Sequence, residues 1–228
     1  MTLANISPKV HIGEVVRNAV VFHPGKEATV DPDSLIETVA HFFSYLDEHQ
    51  IEYVLVGGIA LLQYVEGRNS DDIDLIMASS SLTRLPELAI ESRDGDFARG
   101  HGPDDHLVRG HFRNLKVDVL LTSNPVFDEV RKCHAVMQRF VEQDIPCATV
   151  EGLILLKLYA LPSLYRQGNF TRVGPYENDV ATLIQSYSPS LEPLVDKLSS
   201  YLNKSDLSQM QEILRDIERR ISRFETQR

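Results

Sequence analysis

The sequence predicts an α/β protein of the α+β kind: a small mixed β-sheet with helices, followed by a helical C-terminal part. Three observations predict it. Short β-type runs stand at 53–56, 72–77 and 116–122, and the last two carry carboxylates inside apolar surroundings. A Gly57-Gly58 pair joins the first run to a short apolar helix expected from about Ile59. From Val150 onward apolar residues recur at helical spacing without strand-type runs.

Each element has its own justification. Residues 1–30 hold short apolar pieces broken by Pro8, Pro24 and Gly25, which suits an arm or peripheral strands, and no function is assigned to them. Asp31-Pro32-Asp33-Ser34 reads as a helix start, after which Leu35, Ile36, Val39, Phe42, Phe43 and Leu46 recur at helical spacing. After the run ending at Met77, a polar break at 78–81 leads to a short helix expected over 82–90 and a glycine-bearing loop over 92–105. A hairpin follows, its arms 106–112 and 115–122 and its turn Arg113-Asn114. A helix over 126–134, a strand over 135–141 and a helix over 151–161 come next. The end of the chain gives an amphipathic helix over 191–202, a capped turn at 203–206 and a helix over 207–224. Its apolar stripe suits packing within the helical part or binding a partner. The expected domains are therefore an arm at 1–30, a core at 31–149 and a helical domain at 150–228.

Composition narrows the function classes. The 228 residues are 43% hydrophobic and 25% charged, an ordinary globular balance. A net charge of −10 argues against strong binding to duplex DNA driven by counterion release. A local basic groove drawing on Arg68, Arg109, Arg113, Lys116, Lys157, Arg166 and Arg172 stays open beside the ordinary reading of scattered solvated charges. Two cysteines, Cys133 and Cys147, give no disulfide framework. With no export segment and no apolar run long enough to span a bilayer, a cytoplasmic protein without membrane partners is expected.

Chemistry enters at Asp72 and Asp74. Strand alternation puts both on one face and sends Ile73 and Leu75 to the other. Two carboxylates so placed repel each other unless a positive charge sits between them, and a hard divalent cation with oxygen ligands supplies it. Mg²⁺ suits best, held by one or two carboxylates plus substrate phosphates, with two ions within the scope of the site. At Gly57 and Gly58 the missing Cβ lets backbone N–H groups approach a phosphate, although the same pair can also serve as a plain strand-to-helix turn.

These residues resemble the nucleotidyltransferase superfamily, of the DNA polymerase β-like fold. Val56-Gly57-Gly58, thirteen intervening residues, then Asp72-Ile73-Asp74 is similar to its hydrophobic-Gly-Gly/Ser, spacer, Asp-hydrophobic-Asp/Glu pattern. Arg68, Ser70 and Asp71 resemble a stretch common in bacterial members, particularly the abortive-infection, or type IV toxin-antitoxin, toxin branch. The resemblance implies a third carboxylate on a neighbouring strand, and Asp118, between Val117 and Val119, fits it. Asp118 would then be the third metal ligand and the acceptor of a hydroxyl proton; an exposed acid on an edge strand is the alternative. The helix carrying Lys157 resembles one whose lysine faces the nucleotide phosphates in that branch, whereas on spacing alone Lys157 suits a lysine at the rim of the core. Arg166 and Asp179 fit the segment expected after it, but Tyr176 and Glu177 stand where that pattern has a Lys-Asp pair. For Arg166 and Asp179, helix capping and surface ion pairs are the alternatives.

The resemblance implies a Mg²⁺-dependent transferase with an NTP substrate, ATP among them. Catalytic and metal roles fall to Asp72, Asp74 and Asp118, and nucleotide contacts to Gly57, Gly58, Arg68, Ser70, Lys157 and Arg166. Its acceptor would be a hydroxyl on an RNA end such as tRNA, a protein or a small molecule, and a cognate antitoxin would be a partner. A catalytically silent nucleotide-binding or partner-binding module and a phosphohydrolase are the alternatives. His101, His106 and His111 lack a zinc spacing and read as surface histidines.

Overall fold

The computed structural model describes residues 32–65, 72–93, 106–140 and 143–225. The arm at 1–30 and Arg68, Ser70, Asp71 and His101 lie outside the described residues. The chain divides into two compact units, Met1–Thr149 and Val150–Arg228. No helix among the described residues is long and apolar enough to cross a membrane.

The first unit is built on a mixed seven-stranded sheet. Its strands are β1 (Tyr53–Val56), β2 (Asp72–Met77), β3 (Leu88–Arg93), β4 (Leu107–Phe112), β5 (Leu115–Leu121), β6 (Ala135–Phe140) and β7 (Gln143–Ala148), in the spatial order β3-β4-β5-β2-β1-β7-β6. β2 and β5 run parallel, as do β1 and β7, and the remaining neighbours are antiparallel. Helix α1 (Pro32–Glu48) starts at its proline, whose missing N–H costs nothing in a first turn. Its Phe42 and Phe43 are fully buried, with Phe42 4.9 Å from Phe112 of β4 and Phe43 stacked 5.7 Å from Tyr53 of β1. The helix therefore covers the face of the sheet that carries Tyr53 and Phe112. Because side chains alternate, the acids of β2 and β5 are left on the opposite face.

Helix α2 (Gly57–Leu61) follows β1 directly, starting at Gly57 rather than Ile59. The region 82–90 is not an α-helix: a 3-10 helix, Ser79–Arg84, takes in only its first residues and precedes β3, which pairs with β4. Leu82 and Leu85 are at helical spacing, but Pro86 ends any helix there, and Leu88 onward gains ladder hydrogen bonds instead. β7 is a further strand that the sequence reading does not contain, and it includes Pro146, which lacks a ladder donor. β7 pairs along its whole length with β6, where Pro146 lies opposite Met137, and with β1 at Leu55 and Cys147. Helix α3 (Pro125–Cys133) is capped by the Asn124 side chain, which accepts from the Val126 N–H at 2.9 Å.

One buried group is poorly served. Gln63 is 0% exposed, and its amide has no hydrogen-bond partner beyond a weak contact with the Cys147 thiol, which burial pushes up to about 12 against the smaller lowering effect of that contact. An unsatisfied buried amide costs about 1–3 kcal/mol. Gln63→Leu, which keeps the volume and removes both polar atoms, is expected to raise stability by about 1 kcal/mol in urea unfolding. A lowered midpoint would show that the amide has a partner in solution.

The second unit is helical: α4 (Val150–Arg166), α5 (Phe170–Tyr187), α6 (Glu192–Ser199) and α7 (Lys204–Glu225). α4 packs on α5, and α7 packs on both. Met210, Ile213, Leu214 and Ile217 of α7 are buried, so the predicted stripe is core. The predicted turn at 203–206 is a capped start, with the Asp206 N–H donating to Asn203 Oδ1 at 2.9 Å.

Candidate active site

The site grows out of strand register. Val56 lies across from Asp74, Asp74 across from Asp118, and Asp118 across from Arg109. Directly paired residues project to the same face, so one row crosses β1, β2, β5 and β4. Asp72 stands one step along, paired with Lys116. Burial follows the same alternation: in β2 Asp72 and Asp74 are half-buried beside buried Ile73 and Leu75, and in β5 Asp118 is half-buried between buried Val117 and Val119. Carboxylate oxygens of Asp72, Asp74 and Asp118 lie within 4.8 Å of one another. Among the described residues no other group of metal-ligating side chains is so gathered, and the histidines form none. His106 bonds Ser123 Oγ at 2.8 Å instead.

The turn between β1 and α2 is shaped around one of these acids. Gly57 has φ +65°, and a Cβ placed on it would lie 1.7 Å from Asp74 Oδ2. The neighbouring Gly58 N–H points to the same oxygen at 3.4 Å. The glycine pair is therefore more than a turn, because it makes room for Asp74 and orients it. Helix α2 is one turn long, so its backbone amides rather than a macrodipole are what it offers. Three hard oxygen donors and a cradle that a Cβ would fill suit a divalent cation of the Mg²⁺ type.

A control for Gly57 exists in the second unit. Gly168 has φ +66°, but a Cβ there would meet nothing within 4 Å. Gly168→Ala is expected to cost about 1–2 kcal/mol from backbone strain alone. Gly57→Ala adds displacement of Asp74 and is expected to cost about 1–3 kcal/mol more and to remove metal binding, checked by unfolding and Mn²⁺ calorimetry. Equal costs for the two variants would contradict the cradle.

Lys157 and Arg166 belong to the second unit. Lys157 is buried, its Nζ 2.7 Å from Asp179 Oδ2 and 4.3 Å from the centre of the Tyr176 ring. Arg166 pairs with Asp206. Glu177 accepts from the Tyr165 hydroxyl and pairs with Arg220 at 3.1 Å, and burial, then the Glu177 contact, push the Tyr165 phenol up to about 12. The Tyr176-Glu177 departure thus has a local account: the tyrosine caps the buried lysine and the glutamate ties α4 and α5 to α7. Arg109, one of several scattered cations in the sequence, is in the structure a partner of Asp118, whose Oδ2 is 3.9 Å from Arg109 Nε. The signal was present: counting back from the Arg113-Asn114 turn places Arg109 opposite Asp118.

No protein-family model and no curated protein matches the sequence. Solved structures do match in backbone course. An antigenic nucleotidyltransferase-like protein from Paracoccidioides brasiliensis matches over 79% of this chain and 93% of its own, with TM-score 0.48 and 17% identity. ANT(2")-Ia in complex with adenylyl-2"-tobramycin matches over 73% and 95%, with TM-score 0.49 and 13% identity. The solution structure of the antibiotic-resistance factor ANT(2'')-Ia matches over 86% and 99%, with TM-score 0.46 and 11% identity. With every TM-score below 0.5, these likenesses carry neither an activity nor a substrate over to this chain.

Proposed function

We propose that the first unit is a nucleotidyltransferase of the superfamily its motif resembles, moving an NMP from an NTP to an acceptor hydroxyl. The observation that carries this reading is the trio Asp72, Asp74 and Asp118, aligned on adjacent strands beside a glycine turn shaped around Asp74. Asp72, Asp74 and Asp118 would hold Mg²⁺, which when bound supplies positive charge to the triphosphate and to the departing pyrophosphate. Gly57 and Gly58 keep the backbone low where the phosphates lie. Asp118 accepts the proton of the attacking hydroxyl, whose oxygen bonds to the α-phosphorus as the bond to the β-phosphate oxygen breaks.

The finer assignments rest on the sequence resemblance. They are phosphate contacts from Arg68, Ser70, Lys157 and Arg166, an RNA end, protein or small molecule as acceptor, and a toxin role with a cognate antitoxin in the cytoplasm. The test is incubation of the protein and its Asp72→Asn/Asp74→Asn variant with Mg²⁺, each α-³²P-labelled NTP and a cell extract. Label in RNA, protein or small molecules only with the intact acids supports the transferase and names the acceptor class. NTP that binds without any label transferred supports a silent module, and unlabelled release of nucleotide supports a phosphohydrolase.

A further inference from the structure

We propose that Arg109 is a positioning residue for Asp118, holding that carboxylate in the metal-free protein and yielding it when a divalent cation binds. The inference deepens the metal-binding reading above and rests on it. Arg109, Asp118 and Asp74 form one row across β4, β5 and β2, with Asp118 in the middle. On one side Asp118 faces the other acids, within 4.8 Å; on the other, its Oδ2 lies 3.9 Å from Arg109 Nε. At that separation the Nε contact is an ion pair, held by Coulombic attraction.

The electrostatic logic follows from the gathering of charge. Three carboxylates so close need a positive neighbour, and Arg109 provides one from the β4 side. A cation held by the three acids would meet that need itself and repel the guanidinium. Arginine keeps its charge at any physiological pH, so its position rather than its protonation has to change. The Arg109 side chain is 38% exposed while that of Asp118 is 17% exposed, so the arginine has solvent to move into and the aspartate does not. Guanidinium and metal thus compete for one carboxylate, and Arg109 lowers the affinity of the site for metal.

The test uses the full chain and Mn²⁺ alone, titrated by calorimetry, with folding followed by circular dichroism. Arg109→Gln is expected to tighten Mn²⁺ binding by about three- to tenfold at low salt, while Arg109→Lys stays within about twofold of the wild type. In an Asp118→Asn background the same Arg109→Gln change is expected to have no effect, because the contested carboxylate is gone. Arg109→Ala is carried in parallel so that a folding defect in one variant does not decide the outcome. Unchanged or weaker binding in Arg109→Gln overturns the competition, as does equal tightening with and without Asp118. Mn²⁺ failing to bind the wild type at all overturns the metal reading and this inference with it, whereas equal binding by both proteins overturns this inference alone.

Discussion

Asp74→Asn is expected to lower nucleotidyl transfer by roughly 10²–10⁴-fold, the cost of losing a few kcal/mol of charge stabilisation at the reacting phosphate. Asp74 is the acid in the middle of the arrangement: β1 approaches it at Val56, β5 places Asp118 beside it, and Gly57 makes room for it. Asparagine keeps the shape and can still accept from the Gly58 N–H, but it removes the charge proposed to hold a cation. Fewer like charges among the trio relieve repulsion, so the thermal midpoint should hold or rise. Mn²⁺ calorimetry and a labelled-NTP assay on the same preparation check both halves. A variant that transfers at the wild-type rate would end the nucleotidyltransferase reading, and one that unfolds would show Asp74 to be structural.

Lys157→Met is expected to cost about 3–5 kcal/mol of stability in urea unfolding. The lysine and Asp179 are 7% and 5% exposed at their side chains and 2.7 Å apart, so removing the cation leaves a buried carboxylate without its counter-charge. The ammonium also sits over the Tyr176 ring, a contact worth about 2 kcal/mol when desolvated. Lys157→Met/Asp179→Leu should recover much of the loss, because the desolvation cost of both charges disappears with them. A single variant within about 0.5 kcal/mol of the wild type would mean that the pair opens to water. Transfer retained by the folded double variant would also show that Lys157 is a scaffold lysine rather than a phosphate contact.

Legibility in the sequence followed the range of the interactions concerned. β2 was readable because Asp-Ile-Asp alternates within a few residues, and the β4–β5 hairpin because its turn is local. The stripe of α7 was readable for the same reason: one helix face is a local pattern. β3 was hidden because Leu82 and Leu85 mimic a helix face, although Pro86 was a usable signal, and β7 was hidden by Pro146. Both are strands because of the partners they pair with, and no local propensity encodes a partner.

The sequence by itself determined that two acids share a strand face and that a glycine pair precedes them, since both follow from alternation and the absence of a Cβ. That Asp118 stands beside Asp74 was a matter of resemblance until the parallel β2–β5 register placed it there. Tertiary structure alone decided that Gly57 is shaped around the Asp74 carboxylate, that Asp118 is shared with Arg109, and that Lys157 is buried against Asp179 and Tyr176. Each of these contacts joins residues distant in the chain or on different elements, and their geometry is fixed by packing rather than by the identity of sequence neighbours.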